Sequence, residues 1–183
     1  MDKNTIRKIF LAKRKILKGK EVKAKSNIIQ KKVFELSEIK KSKNLLLYLP
    51  INNEVETGLL IKDLKQKKKN VYLPAFFQKT YVIRKFTSFK DLEEGPFNIL
   101  QPVNNLTIDV DQLDLAILPG VAFDKSGTRL GYGKGVYDQL LMNSKIFGVG
   151  LAFDFQVKDK LPRESHDIVL DMLISERNVY RFT

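Results

Sequence analysis

Pro119–Asp138, PGVAFDKSGTRLGYGKGVYD, is the stretch whose reading decides the fold. It follows the apolar run Leu115–Leu118 and precedes Val136–Met142, which can wind as a helix. The order predicts a strand, a long glycine-bearing loop and a helix start. Loops in that position commonly hold ligands in open α/β sheets. Gly127, Gly131, Gly133 and Gly135 are expected to permit positive φ and close approach to a bound group, while amides at the helix start carry a partial positive charge outward. Arg129 and Lys134 add a planar guanidinium and a flexible ammonium, a pairing common around polyphosphate, so the implied chemistry is nucleotide binding. The spacing is neither GxxxxGK followed by Ser or Thr nor the dinucleotide GxGxxG, and a plain connecting turn is also compatible with it.

Upstream, Leu45–Leu49 is a continuous apolar run ending at Pro50, the pattern of a strand buried on both faces of a parallel sheet. The loop INNEVET leads to a helix with Thr57 as candidate N-cap and Leu59, Leu60 and Leu64 inward. Glu54 and Glu56 then lie beyond the carboxyl end of the strand, either facing a ligand or solvated. Val71–Pro74 and Tyr81–Phe86 read as short strands and Glu94–Pro102 as a loop. Phe76, Phe77, Tyr81, Phe86 and Phe97 suit core or rim packing, and some of them could wall a flat ring. Downstream, Phe147–Phe153 reads as a strand in which Gly148 and Gly150 allow close packing, and a last strand is expected around Ile168–Ile174.

The 183 residues suit one domain, and 43% hydrophobic content is enough for its core. No apolar run approaches the roughly 18 residues of a membrane span, and the charged start MDKNTIRKIF lacks a signal peptide's apolar segment. Cysteine is absent, which removes disulfides, thiolate nucleophiles and zinc-thiolate sites from consideration. A cytoplasmic, monomeric protein is expected. The net charge of +12 is uneven: residues 1–43 hold 15 Lys and Arg against 4 Asp and Glu, whereas the remaining 140 hold 18 against 17. Two amphipathic helices fit this basic segment, with Ile6, Ile9, Phe10, Ile16 and Leu17 on the first and Ile28, Ile29, Val33 and Leu36 on the second, after a break at Gly19. A solvated basic face explains the charge without a nucleic-acid partner, since interleaved aromatics for base stacking are missing. Lys3 and Arg7 share one face of the first helix. His166, the lone histidine, lacks spaced metal-binding partners and reads as a loop residue. Asp138 and Asp167 are hard oxygen donors of the kind Mg²⁺ uses.

The residues FDKSGTRLGYGKGVYD resemble the signature of the 5-formyltetrahydrofolate cyclo-ligase family, approximately FDxxGxRLGxGxGYYD. Val136 departs from it, standing where the family has the first of two tyrosines. The resemblance runs in order from Lys3 to Glu176. It implies an α/β fold, a mostly parallel twisted sheet with helices on both faces in a Rossmann-like three-layer arrangement. It also implies ATP-dependent closure of 5-formyltetrahydrofolate to 5,10-methenyltetrahydrofolate. On this resemblance Lys3, Arg7 and the loop Arg129, Leu130, Gly131, Tyr132, Gly133, Lys134, Gly135, Val136 and Tyr137 bind ATP, with Arg129 and Lys134 stabilising the phosphates in catalysis. Leu49 and Glu54, together with Tyr132, Gly133, Lys134, Gly135 and Tyr137, face the folate, and Asp138 and Asp167 hold Mg²⁺. Two alternatives stay open: a related ATP-dependent enzyme acting on another formyl or folate-like compound, and a small basic RNA-binding protein.

Overall fold

A computed structural model describes residues 1–164 and 167–182. The N-terminal segment forms helices α1 (Lys3–Lys15), α2 (Gly19–Glu35) and α3 (Ser37–Lys41). Strand β1 (Asn44–Leu46), helix α4 (Gly58–Gln66) and strand β2 (Asn70–Phe77) form the first crossover unit, and β3 (Thr80–Lys85) returns antiparallel to β2. A hairpin of β4 (Leu92–Glu94) and β5 (Leu100–Pro102) precedes β6 (Leu115–Leu118), the run before the glycine loop. Then come β7 (Ala122–Asp124), β8 (Arg129–Leu130), α5 (Val136–Leu140), β9 (Phe147–Leu151), β10 (Val157–Lys158), β11 (Met172–Ile174) and β12 (Val179–Arg181).

The main sheet has seven strands in the order β12-β11-β9-β6-β1-β2-β3, with β11 through β2 parallel and an antiparallel strand at each edge. Alternation along each strand sorts the core into two layers. Leu45, Leu47, Leu115, Ile117, Val149, Leu151, Met172 and Ile174 pack with Ile29 and Val33 of α2 and Leu60, Ile61 and Leu64 of α4. Leu46, Tyr72, Ala116, Leu118 and Leu173 face the other way, towards Phe123, Leu141 and Leu170, with Leu140 of α5 packed against them. Apolar runs without alternation thus mark strands covered on both sides.

The chain leaves β1 towards β2, and β6 returns on β1's other side. The direction of winding therefore reverses between β1 and β6, and the segments following these two strands diverge at their carboxyl ends. Such a switch point leaves a crevice that helices do not fill. Both stretches singled out in the sequence, the Glu54 loop and the glycine loop, emerge there. Helix α1 closes one side of the crevice, because Ile6 and Phe10 pack against Val121, Ala122, Leu130 and Leu161.

Several local expectations are revised. Glu94–Pro102 is not a plain loop, since its two ends pair as the β4–β5 hairpin, with Phe97 and Asn98 left-handed at the tip. Thr57 does not cap α4 with its side chain: its hydroxyl donates to the Tyr48 carbonyl at 2.7 Å. Leu59, Ile9, Ile16 and Ile28 are exposed, lying outside the narrow stripe each helix buries. Of the two glycines in β9, Gly150 is required, because a Cβ there would sit 2.6 Å from Leu170 Cδ1 and 2.9 Å from Phe123. Gly148 has ordinary room, its nearest neighbour being 3.6 Å away. The edge strand β12 carries only three residues and no long apolar run, so the sequence does not announce it. The helix read at Val136–Met142 is the short α5, which ends at Leu140. The loop reading of His166 lies outside the described residues.

Candidate active site

The crevice is a cavity of about 280 Å³. One wall is Leu49 and Glu54, a second is the segment from Arg129 to Asp138, and a third is Phe76 and Tyr81 with Phe97 of the hairpin tip. Arg7 and Asp167 complete the rim. All of the residues assigned to ATP, folate or Mg²⁺ on the resemblance line this cavity except Lys3, whose ammonium binds Asp167 Oδ2 on the rim at 2.7 Å; Gly127 and Glu56 do not line it.

The glycine stretch divides into a scaffold and a working part. Phe123 is fully buried beneath the crevice, and Asp124 organises the turn between β7 and β8. Asp124 Oδ1 accepts from the amides of Ser126 and Thr128, both at 2.9 Å, and from the Ser126 hydroxyl, while Oδ2 accepts from the Leu161 amide at 2.8 Å. Burial pushes this carboxyl up, but the converging donors outweigh it and hold it below the ordinary range. Gly127 takes φ +85, where a Cβ would meet the Leu170 carbonyl at 2.8 Å. Apart from Pro119, only the part from Arg129 onward lines the cavity, so a ligand role for the whole loop is too broad.

Within the working part Gly133 and Gly135 have positive φ, whereas Gly131 does not. Gly131 is needed for space instead: a Cβ there would lie 3.0 Å from an Arg129 guanidinium nitrogen. Its carbonyl accepts from Arg7 Nε at 2.8 Å, and a Cβ on Gly133 would lie 3.2 Å from Arg7 Cζ. These contacts dock Arg7 against the loop. Arg129 is buried, spans the Pro119 carbonyl (3.2 Å) and Asp138 Oδ1 (3.0 Å), and lies over the Tyr137 ring. Its Nε is buried without a hydrogen-bond partner. Lys134 is exposed, with its ammonium 4.8 Å from the Phe97 ring centroid. α5 has five residues, too few for a strong dipole, so the positive character of this wall comes from side chains.

Glu54 sits on a fold-back of the β1 loop, made by Asn52 and Asn53 at φ 47 and 57, a conformation asparagine tolerates. Asn53 Nδ2 donates to the carbonyls of Arg14 and Leu17 at 3.1 Å each, tying the loop to the end of α1. Glu54 Oε2 accepts from the Ile51 amide at 3.0 Å, while Oε1 is buried with no hydrogen bond. Loss of hydration raises its pKa to about 7, against the pull of Arg14, the Ile51 amide, Tyr132 and Arg129. Burial and the Glu54 charge raise Tyr132 and Tyr137 as well, so both phenols stay protonated. Glu56 is half-buried and donates its amide to Ser26, a packing role.

For Mg²⁺, Asp138 and Asp167 offer two carboxylates on one cavity, the number a nucleotide-bound Mg²⁺ takes from protein. The donor set fits. Each carboxylate is already paired with a cation, Asp138 with Arg129 and Asp167 with Lys3.

A family model described as the 5-formyltetrahydrofolate cyclo-ligase family matches residues 1–176. The chain belongs to that family. As a cyclo-ligase family member it is 36% identical over 148 residues to a 5-formyltetrahydrofolate cyclo-ligase of Haemophilus influenzae, covering 76% of this chain and 79% of the relative. It is 32% identical over 175 residues to the Mus musculus cyclo-ligase, covering 87% and 86%. Among solved structures, the Aquifex aeolicus 5,10-methenyltetrahydrofolate synthetase superposes with a TM-score of 0.90 at 39% identity, covering 99% of this chain and 93% of that one. The Mycoplasma pneumoniae synthetase gives 0.76 at 29% identity, with 96% and 99% covered.

The sequence of this cyclo-ligase family member does not single out Arg14, which composition groups with the solvated basic face. It is 1% exposed. Its position one helical turn past Phe10, on α1's buried stripe, was the available signal. The aromatics left open divide: Phe76, Tyr81 and Phe97 wall the cavity, Phe86 is core, and Phe77 is exposed.

Proposed function

We propose that this chain closes 5-formyltetrahydrofolate to 5,10-methenyltetrahydrofolate, consuming ATP and releasing ADP and phosphate. The observation that carries the reading is the convergence of the signature loop's cations and the Glu54 carboxylate on one switch-point cavity. Membership of the cyclo-ligase family supports it. A formamide is a poor electrophile, and its oxygen leaves only once activated. The formyl oxygen attacks the γ-phosphorus, ADP departs, and N10 adds to the activated carbon. Loss of the N10 proton and of phosphate then gives the methenyl cation. The protein's task is placement and charge compensation, because no residue needs to become a covalent nucleophile.

Arg129, Lys134, Lys3 and Arg7 are assigned to the phosphates. In the absence of nucleotide two of these cations rest on Asp138 and Asp167, so binding exchanges a carboxylate for a phosphate at Arg129 and Lys3. The released aspartates would hold Mg²⁺, which supplies further neutralisation of the triphosphate. The amides of the loop from Gly131 to Gly135 add donors. Leu49, Glu54 and Tyr137 are assigned to the folate, with Phe76, Tyr81 and Phe97 flanking its flat ring. The test is to mix protein, MgATP and 5-formyltetrahydrofolate and follow the near-ultraviolet absorbance of the methenyl product; ATP-dependent growth of that band is expected. Turnover of a different formyl compound only would instead favour the related-enzyme alternative.

A further inference from the structure

Arg14 does not line the cavity, and no phosphate or folate role falls to it. A fully buried guanidinium is costly unless every donor is used. Here its Nε donates to the Asn52 carbonyl at 2.8 Å and one terminal nitrogen to the Gly120 carbonyl at 3.0 Å. The other terminal nitrogen donates to the Tyr132 hydroxyl. The nitrogen on Gly120 also stands 3.8 Å from Glu54 Oε1, the carboxylate oxygen that has no hydrogen bond. Asn52 belongs to the loop after β1, and Gly120 and Tyr132 to the segments after β6 and β8. One side chain therefore spans the two loops that bound the switch-point crevice, from a helix docked on β7 and β8.

We propose that Arg14 is a positioning residue: it sets the separation of the Glu54 loop from the glycine loop and holds the Glu54 carboxylate and Tyr132 hydroxyl at the cavity wall. This rests on the cyclo-ligase reading for the identity of the ligand but not for the geometry. Glu54 is faced by Arg14 from α1, Tyr48 from the end of the β1 segment, and Arg129, Tyr132 and Tyr137 from the glycine-loop side. Arg14 heads the attractive contributions and is opposed by loss of hydration, so its removal leaves a carboxylate that ionises less readily. A lysine keeps the charge but cannot reach both loop carbonyls and the phenol together, since its donors radiate from one atom.

The experiment compares wild type, Arg14→Gln and Arg14→Lys in two readouts. The first is the titration of the Glu54 carboxyl, followed by ¹³C NMR in ligand-free protein with Glu54→Gln used for assignment. Arg14→Gln should move the midpoint upward by about one pH unit, and Arg14→Lys should bring it back towards wild type. The second is kinetic: both variants should raise KM for 5-formyltetrahydrofolate by about tenfold while KM for ATP stays within about twofold. A purely structural arginine would lower Tm and leave the midpoint and the ratio of the two KM values unchanged in folded protein, and that result overturns the proposal. Should Arg14→Gln not fold, Arg14→Lys decides alone, and a wild-type KM for the folate overturns it. If wild type itself shows no turnover, the cyclo-ligase reading falls while the Glu54 titration still judges Arg14.

Discussion

Arg129 and Glu54 place a guanidinium and a carboxyl on one cavity, and the proposal gives each a different substrate. Arg129 reaches its place because Gly131 lacks a Cβ, and its planar fork spans a carbonyl and Asp138 Oδ1. Arg129→Lys is therefore expected to lower turnover at least about tenfold, corresponding to roughly 1.4 kcal/mol of transition-state stabilisation. Steady-state kinetics at saturating substrates checks this, and unchanged turnover would remove Arg129 from the phosphate role. Glu54 is the pH-sensitive member. With its pKa lifted from 4.5 to about 7, burial favours the protonated form in the fold; the associated stability is full below 4.5 and is lost as pH rises through 7. Binding runs in the opposite sense, because the ionised carboxylate is the stronger acceptor for folate N–H groups. KM for 5-formyltetrahydrofolate should fall between pH 6 and 8, and Glu54→Gln should raise it about tenfold at pH 8 with the pH dependence removed. A Gln variant that keeps the wild-type profile would return Glu54 to a purely structural place.

At the scale of elements, the signature stretch is two devices joined end to end. The β7–β8 turn is built by Asp124 and Gly127 and carries the cavity-lining segment behind it. Asp124→Ala strips acceptors from buried amides and should cost about 2–4 kcal/mol in denaturant unfolding, with residual folded enzyme keeping its KM for ATP. A stability within error of wild type would mean that the turn holds without it. The same division explains what the sequence could tell. Leu115–Leu118 and Leu45–Leu49 were readable as central strands because unbroken apolar runs have few other homes in a soluble fold. Arg129, Lys134 and Glu54 are legible from residue type and from their place beyond strand ends, whereas the family resemblance is what separates their ligands and adds Tyr137. Arg14 and the β4–β5 hairpin are not legible in this way. Composition places an arginine on a basic helix in solvent, and only the tertiary docking of α1 on β7 and β8 buries it. The hairpin's three-residue strands fall below the length at which alternation can be recognised.

For the molecule as a whole, the charge and the site lie on different footings. Much of the N-terminal excess is exposed lysine on α1 and α2, while Lys3, Arg7 and Arg14 of the same segment turn towards the crevice. Among the described residues no helix is long and apolar enough to cross a membrane. The fold brings the two cavity-lining loops together by winding order: the Glu54 loop and the glycine loop are far apart in the chain and adjacent only because β6 returns beside β1. On the proposed function this arrangement couples the two ligands, since activation of the formyl oxygen and ring closure would share one cavity. The most direct measurement is therefore the ratio of ADP formed to methenyl product formed in a single reaction with wild-type protein, MgATP and 5-formyltetrahydrofolate. The account predicts one ADP for each methenyl group and no ADP above background when the folate is left out. Methenyl product arising without ATP, or ADP released with no methenyl product, would contradict it.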